Sequence, residues 1–381
     1  MNFDLTREQE ELRQGAIRFA REALNENVIE RDRAAILSRE LLKKCGEFGL
    51  QGATFPARYG GRDFDIVSTV ALMEGLGYGC RDAGLIFALN GQMWTVQMPL
   101  LKFGSDEQKD RYLAGLCKGD VIGANAVSEP GSGSDAFSLT TTANRDSDHY
   151  ILNGAKTFST LAPIADVFLV YATVDRRKGF MGITAFLVDV GTPGLTIGPP
   201  IEKMGLRTAP FGELRFSECR VPAASRLGRE GNGAAIFEDS IDWERACILA
   251  SVLGAMRRQL EQCIAYSKQR KQFGRPIGKN QSIANKIVDM AVRLETGRLL
   301  LYKAASAKRA RGKATLDVAM AKLYVSESWV KSCLDAVQIH GGYGYTTAYE
   351  VERDLRDSIG GTLYSGTSEI QRNIIATFLG L

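Results

Sequence analysis

The apolar residues change their spacing twice along this chain, and those changes restrict the fold more than any other feature of the sequence. Up to about residue 118 the apolar positions recur with a helical period, and that period returns from Glu238 to the end. Between them lie short apolar or alternating segments interrupted by Gly and Pro, which is typical of strands. The sequence therefore predicts an α+β protein with helical domains at 1–118 and 229–381 and a β domain at 119–228.

Local signals place individual elements within these regions. Thr6 with Gln9, and Ser105 with Gln108, each form the pattern of a capping box and predict a helix start. Apolar residues at helical spacing occur at Leu12, Ala16, Phe19, Ala20 and Ala23, and again at Ile283, Ile287, Met290 and Leu294. Strands are predicted at 121–127, 166–172, 182–190 and 213–221.

Charge and the rarer residues exclude several classes of protein. The 381 residues carry 48 Lys and Arg against 44 Asp and Glu, a net charge of +4 that is too small and dispersed for nucleic-acid binding. Two histidines and seven scattered cysteines without a CxxC pair disfavour a zinc site and a Ser-His-Asp triad, so we expect no metal. The cysteines indicate reduced thiols in a cytoplasm. No apolar run approaches the roughly 20 residues that cross a bilayer, so we expect no membrane insertion.

The segment VSEPGSGSD at 127–135 follows an apolar strand and is rich in small residues with exposable N–H groups. Such a loop suits the polar edge of a cofactor or a phosphate. Gly131, Gly133 and Ala136 match GxGxxA, but no helical period follows, so a nicotinamide-binding fold is rejected. A plain surface turn is the alternative for this loop taken alone.

Six segments, in order, carry a resemblance that covers the whole chain. They are VSEPGSGSD (127–135), LNGAKTF (152–158), KMGLR (203–207), RKQFGRPIGKNQ (270–281), QIHGGYGYT (338–346) and YSGTSEIQ (364–371). With these motifs the sequence resembles the acyl-CoA dehydrogenase family. The resemblance implies a helical N-terminal domain, a middle β-barrel-like domain and a C-terminal four-helix bundle around one non-covalent FAD. It also implies a homo-oligomer, either a tetramer or a dimer.

The resemblance assigns roles to individual residues. The residues implied at the flavin are Asn125, Val127, Ser128, Phe158, Ser159 and Thr160, where Phe158 replaces the Trp usual in the family. Those implied at the diphosphate and adenosine, largely of a neighbouring subunit's FAD, are Arg270, Gln272, Phe273, Gln281, Gln338, Gly341 and Gly342. Thr367, Glu369 and Gln371 complete the cofactor pocket, and Ser134, Arg245 and Ser365 are implied on the substrate side.

General chemistry agrees with two of these assignments and leaves an alternative for each. The planar guanidinium of Arg270 suits a diphosphate, although an Arg in this setting is more often on a solvated helix face. Gly341 and Gly342 allow a backbone to approach a ligand closely, and they also suit a helix C-cap. Both roles are compatible at the two glycines.

The catalytic base departs from the commonest pattern of the resembled family. Many members carry a Glu immediately before the Gly of the last motif, but this chain has Ser365 there, and a serine cannot accept an α proton at neutral pH. A minority carries the base on the first helix of the C-terminal domain, where this chain has Glu244. Its apolar neighbours predict a raised pKa, which proton abstraction from carbon requires. An exposed carboxylate in a helix ion pair is the alternative. The Ser365 N–H is then expected to bind the thioester oxygen.

The expected reaction is FAD-dependent α,β-dehydrogenation of an acyl or aminoacyl thioester on CoA or a carrier protein. Similarity over 162–195 and 237–244 favours enzymes of antibiotic and pigment biosynthesis, including those that oxidise carrier-bound L-prolyl groups. The basic turn at 176–178 suits an acidic carrier protein, but an ordinary solvated loop explains it better. An electron-transfer flavoprotein or oxygen is the expected electron acceptor. A flavin-dependent monooxygenase and a catalytically silent flavoprotein are the alternatives, and Glu244 argues against both.

Overall fold

The computed structural model describes residues 4–381, so the first three residues of the predicted N-terminal region lie outside it. The predicted order of helical, β and helical segments is confirmed. The first segment contains the helices α1 (Arg7–Ala23), α2 (Val28–Ala34), α3 (Arg39–Phe48), α4 (Ile66–Gly79), α5 (Ala83–Gln92), α6 (Met98–Phe103) and α7 (Asp106–Lys118). Both capping boxes form at the starts of α1 and α7 as predicted.

The middle segment is a single mixed sheet of eight strands. Its strands are β1 (Gly123–Ala126), β2 (Thr142–Asp146), β3 (His149–Thr160), β4 (Val167–Thr173), β5 (Ile183–Asp189), β6 (Leu195–Ile197), β7 (Phe211–Pro222) and β8 (Arg226–Leu227). The order across the sheet is β6-β7-β3-β2-β4-β5-β8, and β1 pairs with β4 in parallel. The four predicted strands correspond to β1, β4, β5 and β7. Burial explains the spacing of apolar residues in these strands. Strand β4 is buried along its whole length, whereas β7 mostly alternates between buried and less buried positions.

Long helices form the last segment. After α8 (Gly233–Gln269) come the hairpin strands β9 (Lys271–Gln272) and β10 (Arg275–Pro276), then α9 (Gln281–Arg311), α10 (Thr315–His340), α11 (Val351–Gly361) and α12 (Ser368–Phe378). Helices α8, α9 and α10 pack against one another, and α11 and α12 pack on α10. None of the helices within residues 4–381 combines the length and apolar character needed to cross a membrane.

Helix α8 is fixed in place by an unusually close crossing with α4. A Cβ at Gly77 of α4 would come within 1.9 Å of the Ser251 carbonyl oxygen, and one at Gly254 of α8 within 2.1 Å of the Glu74 carbonyl oxygen. The two backbones therefore touch where no side chain fits. This crossing lies two to three turns beyond Glu244 and sets the position of the helix that carries it.

Candidate active site

Glu244 lies on α8 in an apolar interior. The residue is 7% exposed, and its neighbours Ala246, Ile248 and Leu249 are buried. The next residue back, Trp243, stacks on Trp94 with ring centroids 6.0 Å apart, at a π-helical turn between α5 and α6. The carboxylate forms no ion pair with any of residues 4–381. The exposed, ion-paired carboxylate that the sequence left as an alternative is therefore not what the fold contains.

Burial gives the Glu244 carboxyl an unusual proton affinity. Desolvation raises its pKa to about 7, although the Ser365 hydroxyl and the positive charges of Arg245 and Lys322 oppose the rise. The opposing groups come from α8 itself, from α10 and from the turn before α12. A carboxyl with this pKa is ionised in part at neutral pH and still takes up a proton readily, which is what a general base requires.

The turn at 364–367 is held against α8 by side chains that bind its carbonyl groups. Arg245 Nε donates to the Ser365 carbonyl at 2.7 Å, and Gln371 Nε2 donates to the Gly366 carbonyl at 2.9 Å. Ser365 and Gly366 both have left-handed backbones, with φ of 57° and 86°. A Cβ at residue 366 would lie 2.9 Å from Gln371 Nε2 and 3.0 Å from an Arg245 guanidinium nitrogen, and the positive φ there would strain any residue other than glycine. The Arg245 side chain thus binds the backbone of the turn.

The N–H and the hydroxyl of Ser365, unlike its carbonyl, are left without hydrogen-bond partners among the described residues. Its N–H makes no backbone hydrogen bond within residues 4–381, and its hydroxyl, close enough to lower the Glu244 pKa, has no partner in good hydrogen-bonding geometry. Thr367 caps α12 by accepting from the Ile370 N–H at 3.3 Å. The arrangement brings a buried carboxyl and an unused backbone donor to one place.

A buried ion pair supports the loop at 127–135. Lys156 Nζ donates to Glu129 Oε1 at 2.8 Å and to the Val127 carbonyl at 3.0 Å, and both side chains are almost fully buried. Glu129 also accepts from the N–H groups of Thr140 and Thr141. Burial opposes ionisation of Glu129, but Lys156 and these hydrogen bonds outweigh it and lower its pKa to about 2. The buried ion pair and the hydrogen bond to Val127 therefore anchor the loop that is predicted to meet the cofactor.

The residues predicted at the flavin present unsatisfied polar atoms and an exposed ring. Asn125 Oδ1 and Ser159 Oγ are buried without hydrogen-bond partners within residues 4–381. Phe158 lies at an irregularity between β3 and β7, has a φ of 55° and is 62% exposed, with its ring edge-on to Phe211. Others in the set are the buried Val127 and the partly buried Ser128 and Thr160. Ser134 is exposed on the adjoining loop.

A second group of predicted cofactor residues lines an open cavity of about 790 Å³. The members of the predicted set in its wall are Arg270, Gln272, Phe273, Gly341 and Gly342. Arg270 has the Tyr343 ring centroid 5.8 Å away and forms no ion pair within residues 4–381. Gly341 is the C-cap of α10 with a φ of 61°, and open space lies in front of it, so the cap and the ligand cradle are compatible there. Gln281 and Gln338 are exposed at the ends of α9 and α10.

The predicted residues beside the turn have different surroundings. Glu369 is exposed in the first turn of α12, whereas Gln371 is fully buried, with Nε2 bound to the turn and Oε1 unpartnered. No described hydrogen bond or ring contact joins the open cavity to the flavin residues of the same chain. None of the predicted flavin residues is in the wall of the open cavity, so one chain carries the predicted cofactor residues as two groups.

Family comparison accounts for all three segments. The models of the acyl-CoA dehydrogenase N-terminal, middle and C-terminal domains match residues 6–120, 124–219 and 231–380. The chain belongs to the acyl-CoA dehydrogenase family. It is an FAD-dependent oxidoreductase that dehydrogenates thioester-bound acyl groups, as the motifs predicted.

Several members of this acyl-CoA dehydrogenase family resemble the chain along its whole length. An L-prolyl-[peptidyl-carrier protein] dehydrogenase of Serratia sp. (strain ATCC 39006) is 42% identical over 381 residues, which are 100% of this chain and 99% of that protein. The crystal structure of the prolyl acyl carrier protein oxidase AnaB is 51% identical, with a TM-score of 0.97 over 99% of this chain and all of the other. PigA with FAD and proline is 42% identical, with a TM-score of 0.98 over the full length of both chains.

The residues of this acyl-CoA dehydrogenase chain fit FAD. Asn125 Oδ1 and Ser159 Oγ have the unfilled hydrogen-bonding capacity that a flavin edge satisfies, and Arg270 offers an unpaired planar cation to a diphosphate. His340, which the sequence did not suggest as a ligand residue, lines the same cavity as Arg270 and has an unpartnered Nε2. Its place in the motif QIHGGYGYT was a usable signal. Lys322, whose positive charge acts on the Glu244 carboxyl, was also missed, and nothing in its local sequence distinguishes it.

Proposed function

We propose that this chain desaturates a prolyl group, bound as a thioester to a carrier protein, between its α and β carbons, with Glu244 as the base. The observation that carries the proposal is the Glu244 carboxyl, which is buried, has no ion pair within residues 4–381, has a pKa of about 7 and lies beside the turn of Ser365. A group with this proton affinity is suited to removing a weakly acidic C–H proton.

The chemistry divides among few groups. Glu244 takes the α proton, and the negative charge that develops on the thioester oxygen is stabilised by the free N–H of Ser365, a donor worth about 3 kcal/mol in such sites. Arg245 and Gln371 hold the carbonyls of Ser365 and Gly366 and so restrict the orientation of the turn that carries this N–H. FAD, when bound, supplies the hydride acceptor for the β carbon.

We infer a compact acyl group from the narrow space along α8 beyond the base. One turn beyond Glu244, a cavity of only about 20 Å³ is lined by Ile248, Phe87 and Tyr364, among others, which is room for about one water molecule. The rings of Phe87 and Tyr364 lie 4.8 Å apart in its wall. A five-membered ring needs little depth beyond the α and β carbons, whereas a long alkyl chain would have to displace one of these rings.

Similarity to known proteins supports a carrier protein, rather than CoA, as the group to which the acyl thioester is attached. Proteins named for prolyl groups on carrier proteins are 42% and 51% identical to this chain over nearly its full length. The basic turn adds little support, because Arg177 pairs with Asp175 and Arg176 donates to the Thr140 carbonyl. The proposal therefore rests on the site and on similarity rather than on surface charge.

The test compares each of two acyl groups on a carrier protein and on CoA. The purified protein is mixed anaerobically with prolyl-carrier protein, prolyl-CoA, butyryl-carrier protein and butyryl-CoA, and bleaching of the flavin band is followed in stopped flow. We expect prolyl-carrier protein to bleach the flavin fastest, by at least about 10-fold over prolyl-CoA. Faster bleaching by either CoA thioester would contradict the carrier assignment, and no bleaching by any of the four would contradict dehydrogenation.

Phe87→Ala is expected to change the preferred acyl length. Removing the ring opens space beyond the base, so the ratio of octanoyl-carrier to prolyl-carrier bleaching rates should rise by about 10-fold or more. Phe19→Ala is the matched control, because Phe19 is also partly buried and stacks on one aromatic ring, that of Phe48, but lies on α1 away from the cavity. An unchanged ratio in Phe87→Ala, or an equal change in Phe19→Ala, would show that Phe87 does not limit acyl length.

We further propose a homotetramer in which a neighbouring chain completes each cofactor site. Val288, Val292 and Leu299 are each more than half exposed and share one face of α9, which supports burial of that face against another copy. Phe273, at the tip of the β9–β10 hairpin, is 98% exposed beside the cavity of Arg270. Light scattering distinguishes a tetramer from a dimer.

Oxygen is the proposed electron acceptor, since AnaB is named an oxidase. Admitting air after anaerobic bleaching and following the return of the flavin band tests this proposal. The seven buried, unpaired cysteines support a cytoplasmic location.

A further inference from the structure

Two lysines, Lys156 and Lys322, are fully buried within residues 4–381, and they differ sharply in their surroundings. The ammonium of Lys156 has a carboxylate at 2.8 Å and a carbonyl at 3.0 Å. The ammonium of Lys322 has no hydrogen-bond partner within the described chain. Burying a cation without a partner is strongly unfavourable. If the position only had to be filled, an apolar side chain of similar length would serve better.

The groups that face Lys322 belong to the active site. Its Nζ lies 6.0 Å from the ring centroid of Tyr364, the residue immediately before Ser365. From α8 it experiences the charges of Glu244 and Arg245, from α12 that of Glu369, and from its own helix that of Glu327. The Tyr364 phenol is buried, and burial together with the Glu244 charge raises its pKa, so it stays neutral. Glu244 is the buried carboxylate among these groups.

We propose that Lys322 is a positioning residue whose buried ammonium keeps the Glu244 carboxylate in its ionised, proton-accepting form. Arg245, the other cation near the base, has its Nε hydrogen bonded to the Ser365 carbonyl, which leaves Lys322 as a cation without a structural bond. Burial lowers the pKa of Lys322 to about 8, so it remains charged at pH 7, and its charge opposes the rise in the Glu244 pKa. This role rests on the proposed function of Glu244.

The sign of the effect follows from charge alone. Removing a nearby positive charge raises the pKa of a carboxyl, so a neutral side chain at 322 makes Glu244 hold its proton to higher pH. In Lys322→Met and Lys322→Gln, the rising limb of flavin reduction against pH should therefore move to higher pH by about one unit. At a pH on that limb the rate falls about 10-fold. Lys322→Arg keeps the charge and should restore the limb toward its wild-type position.

Lys308→Met is the matched control. Lys308 is also buried, and its ammonium lies 5.1 Å from the ring centroid of Trp243, but the carboxylates it faces are Asp242 and Asp239 rather than Glu244. Its removal should leave the pH profile in place. An equal shift in Lys308→Met, or profiles of Lys322→Met and wild type that coincide, would overturn the proposal. Failure of both neutral 322 variants to bind FAD, while Lys308→Met binds it, would make Lys322 structural and also overturn it.

A measurement without substrate separates this proposal from the identity of the base. Infrared difference spectra between pH values report the protonated carboxyl of Glu244, identified as the band that disappears in Glu244→Gln. We expect its midpoint to lie about one pH unit higher in Lys322→Met than in wild type. An unchanged midpoint would contradict the Lys322 proposal even if Glu244 is the base. A shifted midpoint together with wild-type bleaching by Glu244→Gln would instead contradict the proposed function.

Discussion

Glu244→Gln is expected to slow single-turnover flavin reduction by about 10²–10⁴-fold while leaving the fold and FAD content unchanged. The amide has nearly the volume of the carboxyl, and Glu244 makes no ion pair in the described part of the chain whose loss would destabilise α8, so the substitution removes only the proton acceptor. Stopped-flow bleaching with prolyl-carrier protein measures the effect. Bleaching at the wild-type rate would show that another group accepts the α proton.

Asp242→Asn is the control for this substitution. Asp242 lies on α8 two residues earlier, is also 7% exposed, and accepts a hydrogen bond from the Thr315 hydroxyl at 3.0 Å rather than facing the turn of Ser365. Its amide variant removes a buried carboxylate from the same helix and should retain bleaching within a few-fold of wild type. A loss as large as that in Glu244→Gln would point to a general effect of charge on α8.

Ser365→Glu in the Glu244→Gln background tests whether the two positions reach the same α carbon. Ser365 already adopts a left-handed backbone at a turn held by Arg245 and Gln371, and its hydroxyl lies close enough to affect the Glu244 pKa. A carboxylate from this position should therefore restore part of the rate. Recovery should be incomplete, because misplacement by about 1 Å can cost 10²-fold. A double variant no faster than the single variant would show that the turn cannot present a base.

The sequence predicted those parts of the molecule that local spacing controls. Capping boxes fixed the starts of α1 and α7, and alternation or continuous apolar runs located β1, β4, β5 and β7, because each depends on residues close in the chain. The burial of Glu244 was also predictable, since its apolar neighbours lie within one turn of the same helix. Its identity as a candidate depended on the family motifs rather than on periodicity.

Contacts between distant segments were not predictable from spacing. Lys322 lies in an ordinary helical pattern, and a lysine there would normally be placed in solvent, whereas packing of α8, α11 and α12 around α10 buries it completely. The close contact between the backbones at Gly77 and Gly254 was also not predictable, because the sequence around each glycine gives no sign of it. The partnership of Glu129 with Lys156 likewise joins residues on a loop and a strand, 27 positions apart.

Lys156→Met is expected to lower the free energy of unfolding by about 3–5 kcal/mol, the usual consequence of breaking a buried ion pair. The substitution leaves Glu129 buried with a charge that only the N–H groups of Thr140 and Thr141 and the Thr140 hydroxyl offset. Because Lys156 also holds the Val127 carbonyl, the loop at 127–135 should lose its anchor and FAD should dissociate more readily. Urea unfolding and the flavin content per chain measure the two effects. Lys44→Met, which removes an exposed pair with Glu40, should change stability by less than about 1 kcal/mol.

Removing both partners separates the cost of an unpaired charge from the value of the pair. In Glu129→Gln/Lys156→Met the amide oxygen still accepts a hydrogen bond from Thr140 or Thr141 and no buried charge is left, so the double variant should be more stable than Lys156→Met. The pH dependence has a defined sign. The folded pKa of Glu129 is lowered from 4.5 to about 2, so the stability it contributes is present above about pH 4.5 and is lost as the pH falls toward 2. The stability of wild type relative to the double variant should therefore fall across that interval as the pH is lowered. A constant difference between the two would contradict an ionised Glu129 in the folded protein.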